Sequence, residues 1–303
     1  MHVAIAGGSG FLGKVLQKQL LNNGFRVTIL SRDPDKVEKS EGLAAVKWLV
    51  DGARPEEELI NVDAFVNLAG ETINGIRWTS KKKDRIVRSR RAATKELIRL
   101  AEKMAHKPKV LVNASAIGYY GMSATETFTE ASRSEATDFL ATVVKDWEEQ
   151  ALAAEGLGIR TVLVRLGLIL GKEGALPLMA LPYKLGVGGT VGSGEQWVSW
   201  IHVEDAARLI AFVIEHPAIS GPINATAPKP VQMKEFGKTL GAVLGRPDWL
   251  PVPEWFIRVL LGEMSNMLVR GQRVTPEMAI KHQFDFLYPN IEIALKEILD
   301  NNR

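Results

Sequence analysis

His2-Val3-Ala4-Ile5-Ala6-Gly7-Gly8-Ser9-Gly10-Phe11-Leu12-Gly13 opens the chain, and the reading of this stretch decides the fold. The first five residues have the length and apolar character of a buried strand. The glycines run straight into a helical stretch from about Phe11 to Asn23. A second apolar run, Val27-Thr28-Ile29-Leu30, then ends in Ser31-Arg32. Strand, glycine turn, helix and strand make a βαβ unit, and the spacing G-x-x-G-x-x-G fits a phosphate-binding turn. Gly7 permits a sharp exit from the strand, with positive φ if needed. Gly10 leaves the backbone N–H groups of the helix N-terminus open to a pyrophosphate. Gly13 is expected to let the helix pack closely on the first strand.

The end of the second strand bears on which dinucleotide such a turn would hold. An acidic residue there hydrogen-bonds a ribose 2′-hydroxyl, whereas Ser31-Arg32 offers a hydroxyl and a planar cation suited to a 2′-phosphate. Asp33 is adjacent and dilutes that signal. The expected cofactor is NADP(H).

With 303 residues, of which 46 % are hydrophobic, the chain can build one enlarged α/β domain or a domain plus a lobe. It has no cysteine, which excludes disulfides, thiol catalysis and cysteine-ligated metals. No metal site is expected. No basic-then-apolar leader and no run of 18 apolar residues is found, so a cytoplasmic protein without membrane contact is expected. The net charge of +3 hides an asymmetry: residues 81–109 hold 12 Lys+Arg against 3 acids, a local +9, and the remainder sums to −6. Basic character confined to one element argues against a nucleic-acid partner.

Further along, residues 34–40 and 55–60 read as short helices, and Val46 to Leu49 as a third strand. Residues 64–70 read as a fourth strand, whose end at Leu68, Ala69, Gly70 and Glu71 should border the ligand crevice. Residues 79–106 give the strongest helical periodicity, with most cations on a solvated face. Arg90 falls on the apolar side, where a guanidinium needs an anion: a phosphate, or a carboxylate such as that of Glu71. A fifth strand (109–115), a loop at Gly118 to Gly121, a helix (136–155) and a sixth strand (160–170) follow. Strands alternating with helices imply a parallel sheet covered on both faces. Beyond Gly171, five glycines between Gly186 and Gly194 suggest a mobile loop able to close over a ligand. A short strand (197–202), a helix (203–215), a strand (222–226) and helices at 232–244, 253–261 and 290–301 complete the chain. Residues 1–170, with the segments at about 197–226, would form the nucleotide domain. Residues 171–196 and 227–303 would form a small, mainly helical substrate lobe.

Taken together, Gly7-x-x-Gly10-x-x-Gly13, Ser31-Arg32, Asn67-Leu68-Ala69-Gly70, Ser115 with Tyr119-Tyr120-Gly121, and Trp200-Ile201-His202-Val203-Glu204-Asp205 resemble the extended and atypical short-chain dehydrogenase/reductases, in their epimerase-like branch. More narrowly, Gly70-Glu71, Ser89-Arg90, Trp147-Glu148, the 186–194 loop and Gly271-Gln272-Arg273 are similar to the nucleoside-diphosphate-sugar epimerase-like proteins, whose C-terminal segment has no known function. The resemblance spans essentially the whole chain. It implies a Rossmann-type doubly wound sheet and an NADP(H) shell of Gly7, Gly10, Phe11, Leu12, Gly13, Ser31, Arg32, Leu68, Ala69 and Gly70. Glu71, Arg90 and the backbone near Leu170 are further candidates.

One departure limits what the resemblance implies about chemistry. Hydride-transferring members carry a Tyr-x-x-x-Lys pair, in which the lysine lowers the pKa of the tyrosine. Here the residues four beyond Tyr119, Tyr120, Tyr183 and Tyr288 are Ser123, Ala124, Val187 and Glu292, and Lys145 is preceded at that spacing by Ala141. Ser115, or Ala116 in the alternative register, stands at the usual serine position. Tyr119 or Tyr120 would supply a replacement acid, or would simply pack. His202 is expected to open a helix as a structural hydrogen-bonder. The leading expectation is an epimerase-like oxidoreductase acting on a small carbonyl or hydroxyl substrate, sugar-derived substrates included. The alternative is a non-catalytic NADP(H)-sensing regulatory or binding protein.

Overall fold

The structure, a computed structural model, describes every residue except Lys39, residues 74–76, residues 135–137 and residues 301–303. Seven strands form one sheet: β1 (His2–Ala6), β2 (Arg26–Ser31), β3 (Leu43–Lys47), β4 (Ala64–Asn67), β5 (Val110–Ala116), β6 (Arg160–Leu166) and β7 (Gly221–Ala225). Their spatial order is β7-β6-β5-β4-β1-β2-β3, and every neighbouring pair is parallel. The order reverses between β1 and β4, which puts the ligand crevice of a doubly wound sheet at their carboxyl ends.

The period-2 alternation of side chains loads both faces. Val3, Ile5, Val27, Ile29, Val66, Val112 and Val164 meet helices α1 (Phe11–Asn22) and α5 (Val203–Glu215) on one side. Ala4, Ala6, Leu30, Phe65, Leu111 and Leu163 meet α2 (Ser80–Lys103) on the other, and α3 (Phe139–Leu152) packs beside α2. A third core gathers Leu170, Leu176, Trp200, Phe236, Leu240 and Leu295. It joins α4 (Leu176–Lys184), α6 (Met233–Leu244) and α7 (Ile291–Asp300). No helix among the described residues is long and apolar enough to cross a membrane.

Several expected elements shift. The sixth strand, expected over 160–170, divides at Gly167. Gly167 N–H still donates to Ala225 O at 3.0 Å, but Leu168 N–H turns to Ser199 O at 2.9 Å. Leu168–Leu170 therefore pairs in parallel with Trp200–His202, outside the main sheet. The third strand starts earlier than expected, because β2 pairs with it from Val27↔Leu43 to Ser31↔Lys47. It ends before Leu49, whose φ of 53° cannot continue a strand. The helix expected at 34–40 contracts to a single turn over Pro34–Lys36, with residue 39 outside the described residues. Residues 136–137 of the helix expected at 136–155 and residue 301 of that expected at 290–301 also lie outside them. Helix α4 was not foreseen, since Pro177 and Pro182 mask its periodicity.

The glycine-rich 186–194 segment is not a free loop. Trp249 and Leu250 N–H groups donate to Gly188 O at 3.1 Å, Val252 N–H to Thr190 O at 2.9 Å, and Gly192 N–H to Val252 O at 2.9 Å. A Cβ at Gly189 would stand 2.0 Å from Leu250 O. Gly189 admits a neighbouring backbone and Gly188 the Tyr183 ring, which are packing roles and not hinges. Gly189→Ala is accordingly expected to destabilise the protein by about 1–3 kcal/mol, read as a lowered denaturation midpoint. A freely mobile loop would give no change.

Candidate functional site: the carboxyl edge of the sheet

The glycine turn brings two strand exits together. Gly7 has φ of 80°, and a Cβ there would lie 2.7 Å from the Leu68 carbonyl carbon and 2.8 Å from the Ala69 nitrogen. Leu68 and Ala69 thus border the turn, and Asn67 Oδ1 accepts from Ala69 N–H at 3.2 Å to hold that edge. At Gly13 a Cβ would stand 2.3 Å from Gly8 O and 2.5 Å from Gly7 O. This corrects the expected reason for Gly13: what it admits is the turn itself, not the first strand. Gly10 differs from both. The one atom within 4 Å of its notional Cβ is Gly7 O, at 3.3 Å, so the space before the α1 N-terminus is open. No side chain caps that helix, so its first N–H groups are left without a side-chain partner. Gln17 Nε2 donates to Gly8 O at 2.6 Å and fixes the turn from the helix side. Leu12 is buried below, while the Phe11 ring rests on Gly171 and Gly174. The Leu170 side chain is wholly buried in the third core, so that residue offers the crevice only backbone.

Cations and carboxylates from the end of β2, the segment after β4 and α2 lie at this edge. Asp33, which diluted the reading of Arg32, is taken by Lys36 at 2.7 Å. Ser31 Oγ accepts from Asp33 N–H at 3.1 Å, and Arg32 stays exposed. Glu71 receives Lys82 Nζ at 2.8 Å and Arg85 at 3.5 Å, which with the field of Arg32 hold its carboxyl below the usual range. Arg90 does not pair with that carboxylate. Its Nη1 donates to the backbone carbonyls of Glu71 (3.1 Å) and Ile86 (3.2 Å). Its guanidinium packs against Gly70 and lies 4.9 Å from the Trp147 ring. Desolvation pulls its pKa down to about 10, opposed by the charge of Glu71.

Beyond the crevice, the proposed catalytic residues enter a buried network. Ser115 Oγ donates to Glu148 Oε1 at 2.5 Å, and Glu148 holds Arg165 through two bonds of 2.8 Å. Arg165 Nη1 donates to the Tyr120 hydroxyl at 3.0 Å, which donates onward to Asn224 Oδ1 at 2.7 Å. Burial pushes the Tyr120 phenol up despite Arg165. Burial alone would lower the Arg165 pKa, and Glu148 more than reverses this. The Ser115 and Tyr120 hydroxyls are therefore committed to interior partners. Tyr119 is half-buried, with its ring 3.5 Å from the Arg165 guanidinium, and no partner for its hydroxyl is found among the described residues. His202 caps α5, accepting Glu204 N–H at Nδ1 (3.2 Å), so its Nε2–H faces Glu297 at 3.0 Å. Sequence reasoning left Glu148, Arg165 and Asn224 without a role. The signal for Arg165 was a lone cation in an apolar strand.

Comparison with known proteins accords with this geometry. Residues 3–225 match the NAD dependent epimerase/dehydratase family. The chain belongs to that family. Residues 252–298 of this epimerase-family protein match a domain of unknown function, DUF1731. Epimerase family protein YfhF of Bacillus subtilis (strain 168) is 50 % identical over 303 residues, 100 % of this chain and 99 % of that one. Epimerase family protein SH2119 of Staphylococcus haemolyticus is 42 % identical over 98 % of both chains. Among solved structures, human epimerase family protein SDR39U1 (isoform 2), crystallised with NADPH, is 32 % identical. It has a TM-score of 0.87 over 99 % of this chain and 100 % of that one.

Within the family frame, the helix that carries the usual pair is α3. Ala141 is fully buried in it and Lys145 Nζ donates to Ser134 O at 3.1 Å. The basic face of α2 is largely balanced: Lys83 by Glu263, Arg88 by Asp84, Arg91 by Asp146, and Arg99 and Lys103 by Glu56. Among the described residues, cavities open near both ends of the sheet. One of about 480 Å³, lined by Asn61, Asp63, His106 and Lys109, lies at the amino ends of β4 and β5, away from the glycine turn. Another, of about 310 Å³, lies where the loops after β4 and β5 meet the C-terminal segment. Glu148→Gln would strand a buried guanidinium. It is expected to cost about 3–5 kcal/mol, measured by denaturant unfolding.

Proposed function

We propose that this epimerase-family protein binds NADP(H) across the carboxyl ends of β1 and β4 and acts as an oxidoreductase on a small carbonyl or hydroxyl compound. The observation that carries the proposal is the open N-terminus of α1 at Gly10, flanked by Arg32 and Arg90. Neither guanidinium has a carboxylate partner among the described residues. The match to a relative crystallised with NADPH supports the choice of cofactor. The backbone of Gly7, Gly10, Phe11, Leu12 and Gly13 would cradle the pyrophosphate, with Arg90 adding a charge-assisted donor. Ser31 and Arg32 would take the 2′-phosphate. Leu68, Ala69, Gly70, Glu71 and the Leu170 backbone would line the dinucleotide edge. When bound, the cofactor supplies hydride exchange at its nicotinamide. For the matching proton the chain offers Tyr119, whose ring is fixed over Arg165. Ser115 and Tyr120 would act through that network, holding Arg165 in place.

A second reading, a non-catalytic NADP(H) sensor, is favoured by one specific observation. The Ser115 and Tyr120 hydroxyls are both buried against Glu148, Arg165 and Asn224, and Ala141 stands at the usual tyrosine position. Turnover of carbonyl substrates separates the two readings: Tyr119→Phe is expected to lose activity by about 10²-fold or more if Tyr119 is the acid. Tight NADPH binding with no turnover would establish the sensor.

Two binding measurements test the cofactor. Titration with NADPH, NADP⁺, NADH and NAD⁺ should show a preference for the phosphorylated forms, and Arg32→Ala should remove it. Equal affinity for NADH and NADPH in both proteins would refute the role of Arg32. Gly10→Ala should fold nearly as well as the parent, since its Cβ meets one atom at 3.3 Å. It should nevertheless lose NADPH affinity about tenfold or more, because the methyl group enters the pyrophosphate space.

A further inference from the structure

The 310 Å³ cavity carries an inference about substrate class that rests on the proposed cofactor reading. Its walls come from three places. Trp78 stands in the segment between β4 and α2, Met122 follows β5, and Phe139 and Leu140 begin α3. Glu263, Asn266, Met267 and Arg270 come from the C-terminal segment matched as a domain of unknown function. The segment therefore completes a chamber at the carboxyl edge of the sheet, where the crevice of such a fold takes its substrate.

Of the charged residues described in the chamber's lining, Asp138, Glu263 and Arg270, both carboxylates are already engaged. Glu263 is bridged to Lys83 at 2.5 Å. Asp138 caps α3, accepting Leu140 N–H at 3.0 Å and Ala141 N–H at 3.2 Å. Arg270 is exposed, and no partner for its guanidinium is found among the described residues. The remaining described walls are the rings of Trp78 and Phe139, the side chains of Met122, Leu140 and Met267, and the polar Asn266. Trp78 and Phe139 are in contact at 5.6 Å, tilted by 60°, and the Trp78 indole N–H is anchored on Ile73 O at 2.8 Å.

Size and charge select a ligand. The volume is at the small end of ligand sites, which run from about 300 to 1,000 Å³. A nucleoside diphosphate sugar brings three ring systems and a doubly charged pyrophosphate. One unpaired guanidinium beside two carboxylates would leave much of that charge without a partner, at a desolvation cost. A compound with one ring-sized apolar body and one carboxylate satisfies the chamber: the body lies on Trp78, Phe139 and Met267, and the carboxylate takes Arg270 in a bidentate pair. We infer that the cavity between the β4 and β5 loops and the C-terminal segment binds a small aromatic or alicyclic carbonyl compound bearing a single carboxylate, and not a nucleotide sugar.

The test uses the full chain saturated with NADP⁺, so that an aldehyde binds without being reduced. Calorimetric titration compares 4-formylbenzoate, benzaldehyde and UDP-glucose as probes. The expected result is that 4-formylbenzoate binds at least tenfold more tightly than either of the others. Arg270→Ala should bring it down to benzaldehyde, Arg270→Lys should recover part of the difference, and NADP⁺ affinity should be the same in all three proteins. UDP-glucose binding as tightly as 4-formylbenzoate, no binding of 4-formylbenzoate, or no effect of Arg270→Ala would each overturn the inference. The same titrations without NADP⁺ keep the two readings apart. Failure of NADP⁺ to bind would sink the cofactor proposal, while selective, Arg270-dependent binding of 4-formylbenzoate would still support the chamber.

Discussion

At Gly7 and Gly13, on either side of the turn from β1 into α1, there is no room for a side chain, and the rest of the structure is arranged around that exclusion. Where a Cβ would project from Gly13, the carbonyl oxygens of Gly7 and Gly8 already stand; where one would project from Gly7, the backbone of Leu68 and Ala69 does. The turn is thus pressed against both its own helix and the exit of β4. The same compression leaves the α1 N-terminus bare at Gly10, with orphan N–H groups that water or an anion must satisfy. The side chains that approach this edge from α2 and β2 are cationic, which is the complement such an end requires.

The neighbouring strand ends are held by a different device. Ser115 on β5, Glu148 on α3, Arg165 on β6 and Asn224 on β7 are joined through Tyr120 by hydrogen bonds that span three strands and a helix. A buried ion pair stabilises little over an apolar equivalent, but it is intolerant of losing one member. Such a network fixes geometry: it sets the turn carrying Tyr119 above Arg165. Asn224 also donates to Thr275 O at 2.9 Å, and Gln272 Nε2 to Ile117 O at 2.9 Å. The C-terminal segment is tied by these bonds to the floor of the site.

Much of the fold was legible because its signals are local. The glycine spacing, the β-branched runs of β1, β2, β4 and β5 and the long periodicity of α2 each report what a few neighbouring residues can do. The readings that failed were those in which a distant backbone decides. The glycines at 186–194 look mobile in sequence, but residues 249–252 hydrogen-bond along that segment and press on Gly189. Strand 160–170 is continuous by composition, and breaks because Ser199 O captures Leu168 N–H. Arg90 was marked as needing an anion, yet Lys82 on the same helix reached the Glu71 carboxylate and left Arg90 its carbonyl.

By itself the sequence determined the parallel α/β architecture, the position of the glycine turn and the absence of the usual Tyr-x-x-x-Lys pair, since each follows from residue types at short fixed spacings. Only the tertiary structure decided that Ser115 and Tyr120 face inward while Tyr119 does not. It alone also built a chamber from residues as far apart as Trp78 and Arg270. Charge pairing and burial between distant segments depend on where the chain returns in space, and spacing along a sequence carries no record of that.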